Sequence, residues 1–536
     1  MATPAAANLP GEAERLSAYV TARAAEDRDP ARTARLLSAL VRELPGQGQV
    51  RKRAIASAIQ AGEPRLALDL ARGIPFSEAP LELRMLRIAD LLTRGRSADA
   101  VRLLRTSGGT IDSGFLLPFV EAWARADAGD GDAASALDTV NPQSALASQV
   151  DEHRALILLK VKRAAEARPL ADKALAEAGG RADRLRLAFA DGFRAAGDRA
   201  AAAAMLEGRG PALAVGRAKL AQGRPLGEAI GNGAQAFGEL LLGLAISLNR
   251  LDDRTISVAL AQVARFANPG SDAATLLTGM LLDEAGRPDQ AVATLRAIAP
   301  EAPFAAQAAD TEIRVLLDNG RGREALERAG EWVRRAPDSD AFARLGGALS
   351  RERAFAEAAE AYSRAIALAG DRTASDAPWE LHLYRAGALE EANRWPEAKA
   401  AAEAALALSP DNALVLNFLG YGMLERGEDL DRAEAMVRKA SALRPDDASI
   451  TDSLGWAQYK RGKLGEAIAT LGRAAAGDPG QWEIREHLGD ALYSAGRRIE
   501  ARFEWRAALA ASEEEGARKR LADKIERGLT PATAAP

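Results

Sequence analysis

The sequence predicts an all-α protein, an α-solenoid superhelix of antiparallel helix pairs. Three observations carry that expectation. Alanine, leucine, arginine and glutamate dominate a chain of 536 residues that is 48% hydrophobic but only 5% aromatic, and these are strong helix formers. Alternating runs of β-branched residues are almost absent, which leaves little for a sheet. Matched residue types recur 34 positions apart: Leu454 and Leu488, Gly455 and Gly489, Tyr459 and Tyr493, Gly462 and Gly496, Ala467 and Ala501, Ala474 and Ala508, and Pro445 and Pro479.

Each recurring type has a physical role in a helix pair. Leu454 serves the core and Gly455 lets the second helix approach closely. Gly462 supplies the permissive backbone of the inter-helix turn. Ala467 and Ala474 are small where helices touch, and Leu471 fills the larger hole between them. Pro479 ends the unit because it cannot continue a helix.

Taken in order, residues 1–11 read as a disordered N-terminus. Residues 12–208 read as degenerate helical pairs, among them "FLLPFVEAWARADAGDGDAASALDTV" and "LRLAFADGFRAAGDRAAAAAMLEGRG". Residues 209–236 are glycine-rich and less periodic, and are expected to form an irregular junction. Residues 237–515 read as one superhelix, best defined over 339–515. It contains Gly279, Gly286, Ala291 and Leu295, then Gly320, Ala325 and Pro337, then Leu345, Gly346, Ala358 and Tyr362. A linker, "AGDRTASDAP", follows at 369–378. The unit at 417–445 is one residue longer than its neighbours, at the "GEDLD" turn. Residues 516–528 form a capping helix, with Leu521 and Ile525 covering the last unit, and 529–536 read as a disordered tail.

Thirty-four residues is the tetratricopeptide period, two antiparallel helices per unit. The block "LNFLGYGMLERG…AEAMVRKASALRPDDASITDSLGWAQYKRGKLGEAIATLGRAA…EHLGDALYSAGRRIEARFEWRAAL" resembles the C-terminal part of long proteobacterial tetratricopeptide-repeat proteins. That resemblance implies a protein-interaction scaffold. It also points to exported and lipoprotein relatives, some of which are adaptors for carboxyl-terminal processing proteases, so an envelope protease or assembly factor is the partner it implies. The chain departs from those relatives in having no cysteine to carry a lipid.

Composition narrows the function classes. The formal net charge is −4, with acids and bases interspersed. The basic runs "VRKR" at 50–53 and "RKR" at 518–520 are short and read as solvated helix ends, so no nucleic-acid partner is expected. Without cysteine there is no disulfide, thiolate nucleophile or cysteine zinc site. The opening "MATPAAANLPGEAERLSAYV" lacks a basic region followed by an apolar run. The most apolar stretch, "FGELLLGLAISLN" at 237–249, is too short to span a bilayer and carries Glu239 and Asn249. As written, the chain is expected to be cytoplasmic by default, without membrane insertion.

No catalytic, cofactor-binding or metal-ligating residues are expected. The three histidines, His153, His382 and His487, show no ligand spacing. "GNGAQAFG" at 231–238 has the wrong spacing for a dinucleotide fingerprint, and "DAGDGDAASALD" at 127–138 does not follow the calcium-loop pattern. Binding is the remaining class: a non-catalytic scaffold holding a protein or peptide in its concave groove. The alternative is an accessory subunit or diverged enzyme with a site near 209–236.

In this register the groove positions are the fifth, ninth and twelfth of each unit. They give Leu383, Gly387 and Glu390; Asn417, Tyr421 and Leu424; Asp452, Trp456 and Tyr459; and Glu486, Asp490 and Tyr493, with His487 at the edge. The candidate partner-binding residues are Asn417, Tyr421, Asp452, Trp456, Tyr459, Glu486, His487, Asp490 and Tyr493. Repeats that bind chaperone carboxylate tails place Lys, Asn and Arg here, a combination this chain lacks. A mildly acidic, aromatic groove suits a neutral or basic segment.

Overall fold

A computed structural model describes residues 11–106, 114–144, 146–208, 210–251, 253–369 and 379–530. The termini at 1–10 and 531–536, and 370–378 of the expected linker, lie outside them. Among the described residues all regular structure is helical. The chain divides into two compact units, Met1–Ala325 and Leu326–Pro536.

The second unit is built of helix pairs: Ser339–Arg351 with Phe355–Ala369, Trp379–Glu391 with Trp395–Leu408, Ala413–Glu425 with Leu430–Leu443, Ala448–Lys460 with Leu464–Gly477, and Trp482–Ser494 with Arg498–Ala511. In four of the five pairs a glycine of the first helix lies against one side chain of its partner. A Cβ on Gly346 would fall 2.8 Å from Tyr362, on Gly455 2.6 Å from Leu471, and on Gly489 2.4 Å from Trp505. Those partners are 16 positions on in every case. Gly420 meets Val437, one position later, because the extra residue is absorbed in the turn where Asp429 adopts φ 37° and caps the next helix through Arg432 N. Fully buried Ala386 and Ala402 hold the corresponding places in the second pair.

The turns follow the same economy. Gly462 and Gly496 take φ of 73° and 83°. Arg353 and Asn393 hold that left-handed position in two earlier units, at φ 61° and 58°. Asp338, Asn412 and Asp447 cap the following helices by accepting from backbone N–H groups. The helix Glu515–Arg527 closes the unit, with Leu521 fully buried beside Trp505 and Leu492 and Ile525 packed at the edge.

The first unit departs from a simple stack. Its apolar helix, Gly233–Asn249, is buried over most of its surface and packs with Arg254–Ala267. These two lie against Gly48–Gln60, Leu81–Thr93 and Leu117–Asp127, far earlier in the chain. A helix this apolar must be buried. Polar pins fix it at its start: Gly233 N donates to Asp127 at 3.0 Å, and Lys160 bonds both Asp127 and the Gly231 carbonyl. At the far side Gln60 is a hub. Its carbonyl accepts from Gln262 and Gln290, its Oε1 accepts from Arg287, and its Nε2 donates to the Thr255 carbonyl. Arg287 also reaches the Asp27 carbonyl, 260 residues away in sequence.

Replacing Gly489 by alanine forces its methyl into the Trp505 ring. We expect a loss of about 1–3 kcal/mol, the usual cost of overpacking, read from urea unfolding followed by circular dichroism. The same change at Gly465, where a Cβ meets nothing within 4 Å, serves as the control and should not destabilise.

Candidate functional site

Three consecutive first helices of the second unit, Ala413–Glu425, Ala448–Lys460 and Trp482–Ser494, enclose a cleft of 290 Å³. Asn417, Tyr421, Asp452, Glu486 and His487 line it, and so do Ser449, Gln481, Trp482, Glu483 and Arg520. A helix brings positions three and four apart to one face. The fifth and ninth positions therefore share the cleft with the second, the position of Ser449 and Glu483 in their units. That i, i+3 step is a periodic signal, and it could have found both. Arg520 comes from the capping helix, and no repeat position predicts it.

The cleft is polar and acidic. Burial, and then the carboxylates of Glu425, Asp452, Glu390 and Glu483, push the Tyr421 phenol well above its ordinary range. The Asn417 Oδ1 is buried at the cleft and has no hydrogen-bond partner. Burial pulls His487 down, but the Asp452 carboxylate at 2.9 Å, with Asp490 and Glu486, outweighs it and leaves the imidazole raised. His487 also stacks on Trp456, ring centroids 4.1 Å apart at 19°.

The other expected groove residues do not present themselves to the cleft. Trp456 is 1% exposed, stacked with His487 and with the Tyr459 ring at 4.8 Å, and its Nε1 donates to Glu425 at 2.6 Å. Tyr459 is half-buried, and its hydroxyl meets Ser494 at 3.1 Å. Tyr493 packs against Trp505, with Gly528 seated against its hydroxyl. Asp490 is fully buried, accepting from Trp505 Nε1 at 2.9 Å and from Lys524 at 2.8 Å. Glu486 reaches the cleft edge, but its oxygens already accept from Arg520 at 2.9 and 2.8 Å and from Lys524 at 2.6 Å. The capping helix thus closes the end of the groove with two cations.

One pair upstream is a second cavity, of 490 Å³, lined by Tyr362, Leu383, Tyr384, Gly387, Leu414 and Phe418 with Glu390 and Glu391. It is more apolar than the cleft. Asn417 and Phe418, neighbours on one helix, face the two spaces in turn.

Other features with a chemical look are structural. His153 is fully buried, and burial with the nearby Arg181 and Arg184 charges lowers it to about 3. Its Nδ1 accepts from Trp123 Nε1 at 2.9 Å, which places the proton on Nε2. In the 127–138 loop, Asp130 accepts from Arg125 and from Asp132 N, which ties a turn. Of the two basic runs, Arg53 bonds Glu26, Arg518 bonds the Leu509 and Ser512 carbonyls, and Arg520 bonds Glu486. Among the described residues no group of three or more acidic, histidine or cysteine side chains could hold a metal ion, and no helix is long and apolar enough to cross a membrane.

The three histidines should titrate differently in a heteronuclear NMR pH series: His487 above the ordinary 6.5, His382 below it, and His153 staying neutral while the protein is folded. A raised folded pKa stabilises below the unfolded value and is lost as pH rises through the folded one. The His487 contribution is therefore full below pH 6.5, declines above it and is gone once the pH passes the raised folded value, and His487→Gln should flatten that slope. Lys524→Met should cost about 3–5 kcal/mol, because it removes the buried cation between Glu486 and Asp490, and chemical unfolding measures it.

The tetratricopeptide repeat family matches residues 242–306, 311–377, 423–481 and 453–517. No curated protein matches the chain. Solved structures with likeness to it include a chain of the APC/C hetero-tetramer Cut9–Hcn1, at 17% identity over 96% of this chain and 99% of that one, TM-score 0.39. A tetratricopeptide repeat protein from Parabacteroides merdae is 12% identical over 48% of this chain and 99% of its own, TM-score 0.39. YrrB, a repeat protein with an unusual peptide-binding site, is 16% identical over 36% of this chain and 97% of its own, TM-score 0.28.

Proposed function

We propose that this chain, carrying tetratricopeptide repeats at 242–377 and 423–517, is a non-catalytic scaffold whose second unit holds an extended peptide segment of a partner protein. Such repeats are generally protein-interaction scaffolds. The observation that carries the reading is Asn417. Its buried, unpaired Oδ1 lines an acidic cleft, where a backbone N–H from an extended segment would satisfy it.

The two neighbouring spaces define what would fit. The apolar space around Tyr384 and Phe418 takes a large hydrophobic side chain. The cleft around Tyr421, Asp452 and Glu483 takes a lysine or arginine. A segment with an apolar residue a few positions from a basic one satisfies both. An acidic tail meets like charge and is rejected. Asn417, Tyr421, Asp452 and His487 remain contact candidates, joined by Glu483. Trp456 and Asp490 support the wall from behind. By resemblance, the partner class includes an envelope protease or assembly factor.

Fluorescence anisotropy with labelled peptides tests this. A peptide with one apolar and one basic residue should bind more tightly than its Lys→Glu counterpart. Asn417→Leu should weaken it about five- to tenfold, the worth of one buried hydrogen bond, and Glu483→Gln should lessen the salt dependence. Equal binding of acidic and basic peptides, with the circular dichroism of every variant unchanged, defeats the assignment.

A further inference from the structure

The first unit holds a separate cavity of 720 Å³, in the size range of small-molecule sites. It lies among helices Ala182–Ala196, Gly233–Asn249, Asp272–Glu284 and Ala305–Asp318. One wall is apolar, made by Leu242, Ile246, Leu276, Met280 and Phe304.

The lining also holds a buried ionic cluster. Arg181 Nη1 donates to Glu152 at 3.1 Å and to Glu239 at 3.2 Å, and Arg184 pairs with Glu239. Behind them Glu228 accepts from Ser271 and from Ala273 N. Glu177, Asp183 and Glu239 in the lining equal Arg181, Arg184 and Arg250 in number, and Glu152 and Glu228 adjoin the same arginines, so an anion gains nothing from entering.

Gln149 breaks the pattern. It is 3% exposed and lines the cavity, yet its Oε1 has no hydrogen-bond partner. Its amide is set against Gly243, where a Cβ would fall 2.4 Å from Nε2, so a glycine makes room for it. Gln307, across the same space, also has an unpaired buried Oε1. An unpaired buried amide oxygen is costly, and a group offering an N–H donor relieves it.

We propose that this cavity binds a small neutral amphiphile, an apolar chain or ring headed by a carboxamide or peptide group. The apolar body lies along Leu242 and Phe304, and the head pairs with the Gln149 amide. The site is independent of the peptide groove of the second unit.

Fluorescence of N-phenyl-1-naphthylamine, a neutral apolar probe, tests the proposal on the full chain. The probe should bind saturably at one site and be displaced by octanamide. Octanoate has the same chain with an anionic head, and should displace it about tenfold less well, since it offers no N–H donor and must shed its hydration beside buried carboxylates. Leu276→Trp fills the cavity from a half-buried position and should abolish probe binding. Gln149→Leu should keep probe binding and bring octanamide down to the level of 2-nonanone. Absence of probe binding, indifference to Leu276→Trp, or equal displacement by octanoate and octanamide each overturns the proposal. Circular dichroism confirms that both variants fold.

Discussion

The second unit depends on one steric constraint, the close approach of two antiparallel helices where one side chain is reduced to hydrogen. At Gly346, Gly455 and Gly489 the facing Tyr362, Leu471 and Trp505 fill the space a Cβ would need. Depth and spacing of each pair follow from that contact, and the contact recurs with each repeat. Because the pairs stack at a constant offset, their first helices form one continuous wall. The cleft at Asn417 and Asp452 exists because the fifth position of each unit arrives at the same height on that wall.

What was legible in the sequence is what is local. Gly455 and Leu471 are 16 positions apart and Gly455 and Gly489 are 34, so the framework is a periodic pattern that can be read directly. The groove face was legible for the same reason, and Asn417, Tyr421, Asp452, Glu486 and His487 do line one cleft. The register could not distinguish a side chain on the wall from one inside it. Trp456 and Asp490 share a position with Tyr421, but His487 covers the first and Lys524 neutralises the second. Those coverings come from the next unit and the capping helix, and the period does not encode them.

The rest was hidden by distance along the chain. The Gln60 hub joins residues about 200 positions apart, and Arg287 reaches back to Asp27. The apolar run at 237–249 was visible as an anomaly, too short for a bilayer and too apolar for a surface helix. Its resolution, burial against Leu81–Thr93 and Leu117–Asp127, needs the fold. Glu228 lies in the glycine-rich 209–236 stretch. It is 1% exposed, and burial pushes its carboxyl up even though Arg184, Ala273 N and Ser271 favour its charged form. Charged residues in cores are rare enough that composition argues against them, so sequence reasoning places them outside by default.

The terminal helix has a mechanical consequence. An end unit in a stack has one neighbour fewer than an interior one, and stacks fray from such ends. Here the buried Lys524 ammonium is clamped between Glu486 and Asp490, with Arg520 bound across Glu486. That clamp ties the last helix to the first helix of the final pair, not merely to its nearest neighbour in sequence. A load pulling on the helix Glu515–Arg527 must therefore break buried ionic contacts before it can peel that helix from the last pair.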